Sequence, residues 1–259
     1  MRVFFLYYCE LIIHFMKYKE IKPAPILAPY IHTFWELIGE EKDSQWERNF
    51  PDGCGGVVIN LGDTCITDNG TTKMDFGKTY AVGATTSFKD SFVDENIHLF
   101  GVCLKPGVFP NFYDYSAQSE IVDITVQLDH THSFHLDKFL KNPVGYLNEF
   151  FAHRLHPISA SLESALKTIH QAQGQITIDE IAKRNFTSVR QLERKFKTHV
   201  GVSPKEYTRI IRFQNALSKI KEPNQRTSLL NIAFECGYYD HAHLTNDFKK
   251  HTGMSPSKF

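Results

Sequence analysis

"FKTHVGVSPKEY" (residues 196–207) and "FKKHTGMSPSKF" (residues 248–259) are one phrase written twice, with six of twelve positions identical: Phe, Lys, His, Gly, Ser and Pro. Each copy reads as a helix running to a glycine stop, then a Ser-Pro pair that suits the cap and first position of a new helix. Just before the first copy, "TIDEIAKRN" places Thr177 and Glu180 at capping-box spacing, and "SVRQLERKFKTHVG" does the same with Ser188 and Gln191. The spacing predicts short helices over 178–184 and 189–198, and a third starting at Pro204 behind Ser203, with Glu206 three residues after the cap. A link of about four residues, Asn185 to Ser188, is too short for a hairpin of long helices. It fits a helix-turn-helix, whose second helix enters the major groove of DNA.

The faces agree with that reading. Ile181, Ala182, Leu192 and Phe196 make an inner stripe, while Arg190, Glu193, Arg194 and Lys197 project from the second helix toward base edges and phosphates. In the second copy Ile232 and Ala233 match Ile181 and Ala182 at an offset of 51. Leu244, Phe248, Gly253 and Pro256 match Leu192, Phe196, Gly201 and Pro204 at an offset of 52. The extra residue falls in the turn "CGYYD", where Gly237 suits a positive φ and Asp240 suits a cap. The outward positions of this second reader are His241, Ala242, Thr245 and Asn246. Between the units, "PKEYTRIIRFQNALSKI" (204–220) follows a 3.6-residue period and reads as one connecting helix. Its length of about 25 Å falls somewhat short of the roughly 34 Å between successive major grooves on one DNA face, a gap that flanking turns can close.

Charge divides along the same line. The chain is neutral overall, yet residues 1–159 carry 13 Lys and Arg against 20 Asp and Glu, and residues 160–259 carry 16 against 9. An acidic half joined to a basic half points to nucleic acid or another anionic surface as the partner of the basic half. The five cysteines, Cys9, Cys54, Cys65, Cys103 and Cys236, are odd in number and form no C-x-x-C pair. Neither a disulfide framework nor a zinc ribbon is indicated, and reduced thiols in a cytoplasmic protein are expected.

Residues 160–259 resemble the AraC/XylS-type DNA-binding domain. The resemblance is carried by "RQLERKF", "GVSPKEYTRIIRFQNAL" and "IAFECGYYDHAHLTNDFKKHTGMSP", with helix-turn-helix units at 178–198 and 229–250. It implies a bacterial, sequence-specific transcription regulator. It also implies DNA contacts from Arg190, Glu193 and Arg194 in the first unit, and from His241, Ala242, Thr245 and Asn246 in the second. Two positions depart from the family pattern. Phe186 stands where glycine is common in the first turn, so Asn185 or a bent turn is expected to supply the strained conformation. Asn246 stands where arginine is common, so the first unit is expected to dominate affinity.

The fold class expected for the whole chain is α+β, a β-rich, barrel-like domain over 16–130 and a helical linker over 131–159 ahead of the all-α double helix-turn-helix domain. "GGVVINLGD" and "IHLFGVCLKPG" read as strands, and Asn69-Gly70 as a hairpin turn. From Pro143 onward Leu147, Phe150, Phe151 and Leu155 mark an amphipathic helix. The order of these segments is similar to the β-rich N-terminal domains of many bacterial regulators, which sense a small molecule, dimerise, or both. Trp35, Trp46, Phe50, Tyr80 and Phe100 are candidates to line a ligand pocket, against a plain core role. His130, His132 and His135 in "HTHSFH" have no nearby Glu or Cys and read as a polar surface loop rather than a metal site. The opening "MRVFFLYYCELIIHFM" is too short and too interrupted for a membrane span, and residues 1–15 read either as a first strand of the domain or as an extension ahead of a start at Met16, the second being favoured.

The expected partners are double-stranded DNA, a small-molecule effector, a second copy of the chain and, for an activator, RNA polymerase. No cofactor, metal or membrane is called for. Three classes compete: a ligand-modulated regulator, a constitutive regulator whose front half only dimerises, and a DNA-repair methyltransferase fusion. The last needs clustered cysteine ligands, and the front half's four cysteines are widely spaced. G-x-S-x-G, P-loop and H-E-x-x-H motifs are absent. The regulator reading leads and an enzyme is not expected.

Overall fold

The structure, a computed structural model, describes residues 16–40, 44–113, 117–156, 160–222 and 228–259, so the expectation for residues 1–15 lies outside the described residues. The front half is built from two antiparallel sheets. One contains β1 (Met16–Ile21), β2 (Ile31–Gly39), β9 (His98–Leu104), β4 (Gly55–Asn60), β7 (Thr79–Val82) and β10 (Thr125–Gln127), in that spatial order. The other runs β3 (Gln45–Asn49), β8 (Lys89–Val93), β5 (Cys65–Thr67), β6 (Thr72–Met74).

The first sheet is covered on both faces, which explains why β9 is buried almost without alternation. On its outer face Phe34, Val57, Ile59, Phe100 and Val102 pack against Phe139 of α1 (Leu136–Lys141) and Leu147 and Phe151 of α2 (Pro143–His153). The inner face, with Val58, Leu99, Trp35 and Leu37, meets Cys65, Met74 and Val93 of the second sheet. The apolar stripe read from Pro143 onward is therefore used against the chain's own sheet. The Asn69-Gly70 signal does close a hairpin, with Thr67 opposite Thr72. Its turn takes four residues, and Asp68, Asn69 and Gly70 all adopt positive φ. Asp68 is held there by accepting from the backbone N–H of Thr125 at 2.7 Å and the hydroxyl of Thr72 at 3.0 Å.

The helical half begins with α3 (Ala160–Gln171), then α4 (Ile178–Arg184), α5 (Val189–His199), α6 (Pro204–Ile220), α7 (Leu229–Glu235) and α8 (His241–Thr252). Helix α6 serves two cores. Its Tyr207 and Ile211 join Leu162, Ile169, Ile181, Ala182, Leu192 and Phe196 around the first unit. One turn further on, Phe213, Ala216 and Leu217 join Ile232, Ala233, Leu244 and Phe248 around the second.

The two halves are packed together. Phe50, from the loop after β3, is 8% exposed and sits inside the second unit's core beside Phe259, ring centres 5.6 Å apart. The Gln214 amide donates to the Pro51 carbonyl. His251 donates to the Thr86 carbonyl at 2.8 Å, and Arg48 to the Thr252 carbonyl at 3.2 Å. On the first unit's side, Gly107 lies against Leu162 and Leu166 so closely that a Cβ there would fall 2.9 Å from Leu162.

Candidate nucleic-acid interface and effector cavity

Each reader helix is fixed by local chemistry. Both capping boxes form: Thr177 with Glu180 starts α4, and Ser188 with Gln191 starts α5. Ser203 accepts from the N–H of Glu206 to start α6, and Asp240 accepts from the N–H of His243 at 2.7 Å to start α8. Gly237 takes φ +73° in the second turn and Gly253 takes φ +72° after α8. The departure at the first turn resolves differently from expectation. Asn185 keeps φ −104°, and Phe186 itself enters the left-handed region at φ +49°, with its ring 98% exposed. Asn185 instead spends its side chain on the Ile181 carbonyl, at 2.8 Å.

On α5, Arg190, Glu193, Arg194 and Lys197 are all exposed, opposite buried Leu192 and Phe196. On α8, His241, Ala242 and Asn246 are exposed and Thr245 is half-buried, opposite buried Leu244 and Phe248. The seam with the β-rich half grips α8 at its C-terminal end, through Thr252 and His251, and leaves its N-terminal turn open. Lys183 and Arg184 add exposed positive charge on α4. Lys250 differs in being committed to Glu206 at 2.6 Å.

A network that sequence reasoning missed holds the second reader in place. Asp247, on the inner side of α8 and 3% exposed, accepts from Arg209 of α6 at 3.0 Å and from the Tyr238 hydroxyl at 2.9 Å. An acidic residue directly before the core Phe248 was the available signal, since a buried carboxylate needs partners.

Between the two sheets lies a cavity of about 270 Å³. Of the five aromatic candidates, Trp35 and Phe50 line it and three do not. Trp46 lies on the outer side of β3, 51% exposed, because the pleat turns its neighbour Glu47 inward. Tyr80 is buried in the inter-sheet core, its hydroxyl accepting from the Asp75 N–H at 2.8 Å. Phe100 faces the opposite side of the sheet, edge-on to Phe139. The polar lining was not foreseen: Glu47, Asp52, Asp68, Lys89, Thr67 and Ser91. Lys89 pairs with Asp68 at 3.4 Å and donates to the Asp123 carbonyl. Burial pushes the Asp52 carboxyl up to about 6 and raises that of Glu47. Cys54 and Cys103 share one wall, and their thiols are raised, Cys54 by its hydrogen bond to Cys103 and by burial, Cys103 by burial.

Among the described residues no helix is long and apolar enough to cross a membrane. The His130–His135 segment carries His132 beside the Asp129 carboxylate at 3.0 Å.

A helix-turn-helix domain family matches residues 181–259, and a family described as a domain of unknown function (DUF6597) matches residues 19–127. The probable transcription factor PqrA of Proteus vulgaris is 36% identical over 94 residues, covering 36% of this chain and 75% of PqrA. The HTH-type transcriptional activator RhaS of Escherichia fergusonii is 32% identical over 103 residues, covering 40% of this chain and 34% of RhaS. PqrA apart, the chain spans about a third of the length of the curated relatives it matches. Among solved structures, ToxT from Vibrio cholerae is similar over 94% of this chain and 97% of its own, with a TM-score of 0.48 at 13% identity.

Proposed function

The chain belongs to the AraC/XylS family of transcription regulators, and from that premise we propose a cytoplasmic, sequence-specific DNA-binding regulator that reads two adjacent major grooves with α5 and α8. The observation that carries the reading is the pairing of exposure with anchorage. Each reader turns its polar face outward while its apolar face is locked into a core that α6 shares with both units. A rod of seventeen residues then holds the two readers at one spacing. We divide the chain accordingly into a β-rich effector half, its two covering helices and the reader half from residue 160 onward.

The β-rich half modulates the readers according to what occupies its cavity. Support comes from the loop Asn49–Cys54, which lines the cavity on one side and carries Phe50 into the second reader's core on the other. A molecule entering beside Asn49 and Asp52 therefore presses on the same loop that seats α8. Dimerisation and a contact with RNA polymerase are further roles consistent with a regulator, and no catalytic role is proposed.

The test is selection of bound sequences from a random DNA pool with the full chain at two salt concentrations. Enrichment of two short elements about one helical turn apart supports the reading. A doubled motif adds a homodimer. Weak binding without a motif, lost with modest salt, would reduce the basic half to counterion release and end the proposal.

A further inference from the structure

The cavity has two unlike walls. The wall on the first sheet is apolar, with Met16, Leu37, Val58 and Leu99 around the Trp35 indole. Trp35 stands directly across from Gly101 on the neighbouring strand. A Cβ at Gly101 would fall 2.1 Å from the indole carbons, so the ring can lie along the sheet only because that side chain is missing. Tyr18 stacks beside it, centroids 6.4 Å apart and planes 24° from parallel. Together they make a flat aromatic floor.

The facing wall sets polar side chains among Met74, Phe92 and Val93, and its charges do not balance. Glu47 and Ser91 are cross-strand partners, with Thr67 bonded to Ser91 at 2.8 Å. Lys89 is committed to Asp68 and the Asp123 carbonyl. That leaves two carboxyl groups. Glu47 accepts from the Gln45 amide at 2.7 Å, and Asp52 from the Cys54 N–H at 2.8 Å. Among the described residues neither has a cationic partner within ion-pair distance. A carboxylate turned into an apolar enclosure without a counter-ion is costly, and a ligand cation removes that cost. The same cation gains from an aromatic face close by.

We propose that this cavity takes a small amphipathic organic cation, a protonated amine or amidinium on a flat apolar body, with the body on Trp35 and Tyr18 and the charge toward Glu47 and Asp52. This rests on the reading of the β-rich half as the effector domain, and it adds the chemical class of the effector. The volume favours a compact ligand, since drug-sized pockets commonly span roughly 300–1,000 Å³. An anion fits poorly, because the cation that could receive it is already taken.

The experiment is calorimetric titration of the full chain, at neutral pH, with three probes of one shape: phenylbutylamine, phenylbutanol and phenylbutyrate. The amine is expected to bind at least about tenfold more tightly than the alcohol, and the carboxylate most weakly. In Glu47→Gln or Asp52→Asn the amine's advantage is expected to shrink while affinity for the alcohol holds. Both replacements keep the shape and one acceptor oxygen, enough for the bonds from Gln45 and Cys54, so the alcohol reports that the cavity is intact. Equal binding of amine and alcohol, or preference for phenylbutyrate, overturns the cation assignment and leaves the sensing role standing. Failure of all three at millimolar concentration overturns both, and the DNA selection above judges the readers independently.

Discussion

Arg209 of the connecting helix donates to the buried Asp247 of the second reader at 3.0 Å, and the other oxygen of that carboxylate receives the Tyr238 hydroxyl at 2.9 Å. One carboxylate thus ties together α6, α8 and the turn between α7 and α8. Asp247→Ala leaves the Arg209 guanidinium only its longer pair with Glu206, at 3.7 Å, and Tyr238 without an acceptor. The expected loss is about 2–4 kcal/mol, below the fully buried limit because Arg209 is partly solvated. Tyr238→Phe should cost about 1 kcal/mol. Urea denaturation of the two variants checks the order, and equal losses would show that the hydroxyl rather than the charge pair carries the network.

Phe186 holds a left-handed backbone with a side chain that touches almost nothing, being 98% exposed. In the left-handed region a Cβ costs roughly 1–2 kcal/mol, and glycine escapes that cost at some loss of unfolded-state order. Phe186→Gly is therefore expected to stabilise the chain by about 0.5–1 kcal/mol. A lower melting temperature would mean that the ring contributes a contact absent from this fold.

What could be read from sequence divides along physical lines. Capping boxes at Thr177 and Ser188, the cap at Asp240 and the stop at Gly253 are decided within four residues, so the reader half was legible almost to the residue. The outward side chains of α5 and α8 followed from the 3.6-residue period alone. The cavity did not. Whether Trp46 or Glu47 faces inward depends on strand register, and Trp35 lies flat because of Gly101, sixty-six positions away in sequence but opposite in the sheet. The seam is further still from local rules, since Phe50 meets Phe259 at the other end of the chain. The position of Phe186 shows a local rule overridden: the turn kept its left-handed step although the residue best suited to it is missing.

Arg194 and Asn246 occupy corresponding exposed positions on the two readers, one charged and one neutral. Arg194→Ala is expected to weaken DNA binding by about 1–3 kcal/mol and to flatten the salt dependence, whereas Asn246→Ala costs less. Titration on a selected site at several salt concentrations measures both. Equal losses would remove the first unit's dominance.

Acid should loosen the seam. Burial, together with the charges of Lys105 and His170, lowers His32 to about 4 from 6.5, and burial lowers His170 and His251 as well. In the unfolded chain these imidazoles return to their ordinary value, so between about 6.5 and 4 the unfolded state binds more protons and stability falls as the pH falls. For His32 alone the loss is on the order of 2–3 kcal/mol across that window. Asp52 opposes it, because its folded value near 6 exceeds the ordinary 3.8 and protonation there favours the folded state. Glu47, also raised by burial, acts in the same direction as Asp52, but three histidines outweigh these two carboxyls, so the urea midpoint is expected to drop on acidification, less steeply in His32→Gln. A flat midpoint would contradict the assignment of these groups as neutral in the fold.

Phe50 is a side chain shared by the cavity and the second reader's core. It lines the cavity, lies in the second reader's core against Phe259, and has the Lys221 ammonium 5.7 Å from its ring centre. Removing the ring in Phe50→Ala opens a hole in that core, for which about 3–4 kcal/mol is the usual cost when the surroundings cannot collapse. Here they can part, because the Asn49–Cys54 loop belongs to the other half, so a smaller loss of about 1–3 kcal/mol is expected. The more telling readout is coupling. In the wild-type chain a cavity ligand should change DNA affinity by the same factor by which DNA changes ligand affinity. In Phe50→Ala both binding events should survive while that factor falls toward one. Loss of DNA binding itself would show that Phe50 is structural for the reader, and an unchanged coupling factor would place the path elsewhere, through His251 and Thr86 or through Arg48 and Thr252.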